Sequence, residues 1–112
     1  MLISYVTYQI KLYQIGKRKI VDDFIESLLN KTISKIFWMF NLLEKYGPEI
    51  GMPYVRKIGN NLFELRIRKQ ESVRFLFTVK SQTIWILHGF KKKRMKILNK
   101  EIGIALNRLT LI

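Results

Sequence analysis

The sequence predicts one α+β domain spanning residues 1–112: an N-terminal strand, a helical hairpin, an antiparallel three-stranded meander completing a small sheet, and a C-terminal helix. Three observations lead there. The chain has 112 residues, 48% of them hydrophobic, enough for one packed core and too short for two. Two segments with apolar residues three and four apart end at Gly47-Pro48, the punctuation of a finished helix. Beyond them lie three strand-like runs separated by breaks of three or four polar residues, short enough for hairpin turns between antiparallel neighbours.

Taken in order, Tyr5 to Tyr13 alternates β-branched and aromatic residues with polar ones, a strand pattern. Gly16 and Lys17-Arg18-Lys19 end it. Asp22-Asp23 open a short helix carrying Phe24, Ile25, Leu28 and Leu29, since acids suit the positive end of a helix dipole. After Asn30-Lys31-Thr32, a second helix places Ile33, Ile36, Phe37, Phe40 and Leu43 on helical spacing. Glu49 to Gly59, with two Gly and one Pro, reads as a connection. Strands are expected over Leu62–Arg68, Val73–Val79 and Thr83–Phe90. The last helix starts near Asn99 and carries Glu101, Ile102, Ala105, Leu106 and Leu109.

The charge narrows the function. Lys and Arg number 21 against 8 Asp and Glu, a net charge of +13, whose field attracts polyanions. Nucleic acid is the first partner to consider and an acidic protein the second. Residues 1–56 hold 8 basic against 5 acidic residues and residues 57–112 hold 13 against 3, so the functional surface belongs to the second half. No cysteine and a single His argue against a disulfide framework and a resident metal site; no cofactor is expected. The apolar runs break well before the roughly 18–20 residues of a membrane span. Met1 to Tyr5 lacks the basic start and long apolar run of a secretory signal. A cytoplasmic protein without a membrane partner is expected.

Alternation along the meander places Phe63, Leu65 and Ile67 on one sheet face and Glu64, Arg66 and Arg68 on the other. Arg74 projects with those arginines, opposite Val73, Phe75 and Phe77. His88 closes the third strand, followed by Lys91, Lys92, Lys93 and Arg94. A concave face bearing Arg66, Arg68, Arg74 and His88, rimmed by Lys91 to Arg94, is the expected site. The plain structural alternative is that the arginines are solvated partners of a cross-strand acid, for which Glu64 is available.

The segments Gly47-Pro-Glu, Met52-Pro-Tyr-Val-Arg-Lys, Leu62-Phe-Glu-Leu-Arg-Ile-Arg, Val73-Arg-Phe-Leu-Phe and Leu87-His-Gly-Phe-Lys-Lys, with Phe24 before them, resemble RelE/HigB-like toxins of bacterial type II toxin–antitoxin systems, particularly a phage-derived branch of the RelE/ParE superfamily. The resemblance spans almost the whole chain. Where that branch often continues its Lys-Lys with Thr and a nearby Pro, this chain reads Lys93-Arg94-Met95-Lys96.

The resemblance implies a metal-independent endoribonuclease that cleaves mRNA on the ribosome. Attack of a ribose 2′-OH on its 3′-phosphate needs proton transfer and cations for the charge growing on phosphorus. His88 is the expected proton-transfer residue, Arg66 and Arg74 the phosphate clamp, and Lys91 a second proton-transfer group. Lys57, Arg68, Lys92, Lys93 and Arg94 would hold the RNA backbone or the ribosome. Arg74→Ala is expected to spare the fold. A cognate antitoxin is implied as partner, with operator DNA engaged only through it. Its expected docking surface is the helical hairpin, because Phe37, Trp38, Met39, Phe40, Leu42 and Leu43 are apolar around more than one helix face. The rival readings are a ParE-like gyrase inhibitor without catalysis and a non-catalytic nucleic-acid-binding module.

Overall fold

The computed structural model describes residues 7–68, 71–93 and 99–112. The chain runs β1 (Gln9–Leu12), α1 (Ile20–Glu26), α2 (Asn30–Tyr46), a 3₁₀ turn (Gly47–Ile50), β2 (Val55–Gly59), β3 (Leu62–Ile67), β4 (Val73–Lys80), β5 (Thr83–Lys91) and α3 (Asn99–Leu109). The strands form one sheet in the order β1-β5-β4-β3-β2. β1 lies parallel to β5, and every other pairing is antiparallel. The α+β class and the order of the expected elements hold.

Three elements differ from expectation. α1 opens at Ile20 rather than at Asp22 and ends at Glu26, so Leu28 and Leu29 fall in the turn before α2. β1 is shorter than Tyr5–Tyr13, of which Tyr5 and Val6 lie outside the described residues; the Tyr8 N–H donates to the Glu44 carbonyl at 2.7 Å, so the end of α2 holds the chain there. The connection read over Glu49–Gly59 contains β2, an edge strand that pairs with β3 through Val55↔Leu65, Arg56↔Glu64 and Lys57↔Phe63. Its register shift between Lys57 and Gly59 blurs the period-two pattern that marks a strand.

The helical hairpin packs on the sheet face that carries Phe63, Leu65, Phe75 and Phe77. On α2, Ile36, Met39 and Leu43 are fully buried, the i, i+3, i+7 stripe of a core-facing helix. Phe24 and Phe40 meet Phe75 edge-on, with centroids 5.9 and 5.6 Å apart. Gly89 makes that approach possible, since a Cβ there would lie 2.7 Å from the rings of Phe24 and Phe75. Gly47 caps α2 at φ 61°, and a Cβ on it would strike the Tyr8 ring at 2.6 Å.

α3 covers part of the opposite sheet face. Its Ala105 is fully buried, and Arg108 Nη1 donates to the Leu87 carbonyl at 2.8 Å. Among the described residues, no helix is long and apolar enough to cross a membrane.

Candidate functional site

The register decides which charged side chains meet. Arg66 lies opposite Arg74, which lies opposite Phe90; Arg56 lies opposite Glu64, Glu64 opposite Leu76, and Leu76 opposite His88. All these positions share the face away from the hairpin. His88 belongs to it because β5 bulges: Leu76 pairs with His88 but Phe77 with Ile86, leaving Leu87 as the extra residue. Without that insertion, alternation from Ile86 would send position 88 to the hairpin side. The bulge therefore brings His88 to within one diagonal step of Arg74, roughly 7–8 Å between backbones.

At the centre is Glu64, fully buried. Its Oε1 lies 3.6 Å from Arg56 Nε and 3.4 Å from Arg66 Nε, and its Oε2 lies 3.6 Å from Arg74 Nε. These are ion pairs rather than short hydrogen bonds: both Glu64 oxygens and the Nε of Arg66 and Arg74 are buried without a hydrogen-bond partner among the described residues. Burial decreases outward across the three arginines, whose side chains are 3% (Arg74), 15% (Arg66) and 49% (Arg56) exposed.

Arg74 is therefore not the projecting side chain that alternation alone predicted. It sits beneath the surface, with Nη1 donating to the Ser72 hydroxyl at 3.2 Å and to the Val73 carbonyl at 3.1 Å. Burial works against its charge and Glu64 opposes that effect; a guanidinium so placed stays protonated. The arginine face is thus a buried, internally paired charge cluster with one open edge, and the cross-strand acid is at its heart.

His88 occupies the α3 side. Its Nε2 lies 3.3 Å from Glu101 Oε2, and its ring stacks on Phe90 with centroids 5.4 Å apart. A carboxylate only accepts, so Nε2 carries the hydrogen and Nδ1 the lone pair. Desolvation pushes the His88 pKa below the ordinary imidazole value, outweighing Glu101. A neutral ring near pH 7 follows.

The remaining expected residues divide between the two faces. Lys91 lies opposite Val73, hence on the hairpin side, and its Nζ pairs with Glu71 Oε1 at 3.1 Å. Glu71 Oε2 in turn accepts the Leu29 N–H at 3.1 Å, tying that lysine to the start of α2 and away from His88. Lys57 also falls on the hairpin side, opposite Phe63. Arg68 is exposed just after β3, and Lys93 is exposed just beyond β5. Arg94 lies outside the described residues. Lys92 returns to the arginine face by alternation. Its N–H donates to the Ser72 carbonyl at 2.8 Å, so Ser72 links it to Arg74. Desolvation, then the charge of Arg74, pushes the Lys92 pKa below the ordinary lysine range.

The sequence does not single out Arg56, because the Gly and Pro of Glu49–Gly59 mark a connection rather than a strand; pairing Tyr54-Val-Arg-Lys with the Glu64 strand is the signal that identifies it. Among the described residues, no group of three or more His, Asp and Glu is placed to hold a metal ion. Away from this site, Phe37 and Trp38 on α2 are 52% and 55% exposed. Residues 23–110 match the family described as phage derived protein Gp49-like (DUF891). No curated protein matches the chain.

Proposed function

The chain belongs to the Gp49-like family of phage-derived proteins, a RelE/toxin-like family, and from that premise we propose that it is the toxin of a type II toxin–antitoxin system and cleaves messenger RNA on the ribosome. One observation carries the reading: His88 and a cluster of guanidiniums share a sheet face with an edge open to solvent.

In the proposed reaction His88 Nδ1 takes the proton of a ribose 2′-OH, and the 2′-oxygen attacks the adjacent phosphorus. The bond from phosphorus to the 5′-oxygen breaks, leaving a 2′,3′-cyclic phosphate and a 5′-OH that takes its proton from water at the open edge. Arg66 supplies hydrogen bonds to the phosphate as negative charge grows on it, which such fixed donors favour over the ground state. Arg74 acts through the others, holding Glu64 and with it Arg66. The half-exposed Phe37 and Trp38 support a second apolar contact on α2, where an antitoxin segment would dock.

The test is digestion of an mRNA with and without translating ribosomes, run beside gyrase supercoiling. Ribosome-dependent cleavage is expected. Intact RNA with supercoiling blocked would favour the gyrase-inhibitor reading, and RNA retention without cleavage a binding module.

A further inference from the structure

The C-terminal helix reaches the candidate site along one stripe. Glu101, Ala105 and Arg108 stand four and three residues apart on α3 and so share a face, and Ala105 at its centre is fully buried. Arg108 donates to the Leu87 carbonyl at 2.8 Å. Leu87 is the extra residue of the β5 bulge, and such a residue has no partner across the ladder. The Arg108 guanidinium also lies over the Tyr13 ring, 5.2 Å from its centroid. Glu101 takes the next residue of β5, with Oε2 3.3 Å from His88 Nε2. One helix face therefore holds both the bulge that turns His88 to this side of the sheet and the imidazole itself.

An acid in the first turn of a helix often serves only the helix dipole. Glu101 departs from that pattern: it and His88 are each only 14% exposed, and the imidazole is confined on another side by Phe90, stacked at 23°. Lys100 and Arg108, also on α3, oppose a proton on the ring. On β4 the uncharged Leu76 lies opposite His88, and Arg74 one diagonal step away. Among the described residues, Glu101 is the one carboxylate paired with the ring.

We propose that Glu101 is the positioning residue of His88: its carboxylate accepts the Nε2 hydrogen, keeps the lone pair on Nδ1, and becomes an ion-pair partner when Nδ1 gains a proton. A base held by a third group is a general device for activating a hydroxyl. The hold on His88 stands on the geometry; its use in proton abstraction rests on the cleavage reading.

The chain has a single His, so untagged protein labelled with ¹⁵N-histidine reports on His88 alone. In a pH titration followed by NMR, the neutral ring of wild type should be protonated at Nε2 and bare at Nδ1. Glu101→Gln keeps the shape and removes the charge; the His88 pKa should then fall further, since desolvation and the nearby cations are left unopposed. A wild-type ring protonated at Nδ1, or an unmoved or higher pKa in the variant, overturns the proposal. Ribosome-dependent cleavage across pH is the second readout. For Glu101→Gln, kcat should drop about tenfold to a hundredfold, part of the roughly 10²–10⁴ that a positioned base contributes, with KM unchanged and the acid limb moved to lower pH in step with the NMR titration. A lower rate with an unshifted profile would mark a structural contact and overturn the positioning role. The two claims fail differently. Wild type that shows the pairing but leaves RNA intact removes the nuclease and keeps the hold on His88; cleavage by Glu101→Gln at the wild-type rate and pH profile removes the positioning role and keeps the nuclease.

Discussion

Replacing Glu64 by Gln removes the one negative charge around which Arg56, Arg66 and Arg74 are arranged, with little change in shape. At 3.4–3.6 Å each pair has a Coulomb attraction of roughly 4–5 kcal/mol at an effective dielectric constant of about 20. Most of that offsets desolvation, and the Arg56 share is screened because its side chain is half exposed. What remains is the cost of stranding Arg74 and Arg66 with no counter-ion, about 3–5 kcal/mol when a buried pair loses one partner. Against a total of roughly 5–15 kcal/mol for a domain, that loss is severe. It corresponds to a melting temperature lower by about 12–20 °C at ~4 °C per kcal/mol for this chain length. Urea unfolding at low and high sodium chloride is the assay, because guanidinium would itself screen the charges. Salt should recover part of the loss in the variant and do little for wild type. A loss below about 1 kcal/mol, with no salt dependence, would refute the view that Glu64 organises the cluster.

Arg66→Ala should lower cleavage by about two to three orders of magnitude, the usual result of losing one transition-state donor, while circular dichroism shows an intact fold; a wild-type rate would contradict its role. Arg74→Ala, expected from sequence to spare the fold, should instead lower urea stability by about 3–5 kcal/mol by stripping a buried partner from Glu64, and unchanged stability would contradict its burial. Gly89→Ala should cost about 1–3 kcal/mol, because its methyl meets the Phe24 and Phe75 rings at 2.7 Å; a stability within 0.5 kcal/mol of wild type, about the spread of an inconsequential change, would show that the rings yield freely. His88 has a folded pKa below its unfolded value of about 6.5, so the unfolded chain binds the proton first and stability falls as pH drops below that value. His88→Gln should flatten the melting-temperature profile between pH 7 and 5, and an unchanged slope would place its origin elsewhere.

The fold was legible because its strongest signals are local: Gly47-Pro48, the helical spacing of Ile33, Ile36, Phe40 and Leu43 on α2, and two short polar breaks around β4; Phe37, placed on that stripe by spacing, is instead exposed, and Met39 is buried. β2 was not, because its identity as a strand comes from pairing with β3 rather than from alternation of its own. The site was half legible. Alternation within β3 and β4 grouped Arg66, Arg74 and Glu64 on one face. It could not show which of them would be buried, since that depends on the neighbouring strands and on α3. His88 reached the same face through a bulge at Leu87 that no period-two reading contains. For the lysines, Lys91 and Lys92 look alike in a run of charge, and only the β4–β5 register separates one held by Glu71 from one beside Arg74.

Cleavage through the 2′-OH is tested most directly with one ribosome-bound mRNA made in two forms, all-ribose and with a single 2′-deoxynucleotide at the mapped cleavage position. Both are digested in the presence of a chelator, and the product ends are read chemically. The all-ribose message should yield a 2′,3′-cyclic phosphate and a 5′-OH, and the deoxy message should stay whole at that position. Cutting of the deoxy message at the same place, or products bearing a 5′-phosphate, would contradict the mechanism built on His88 and Arg66.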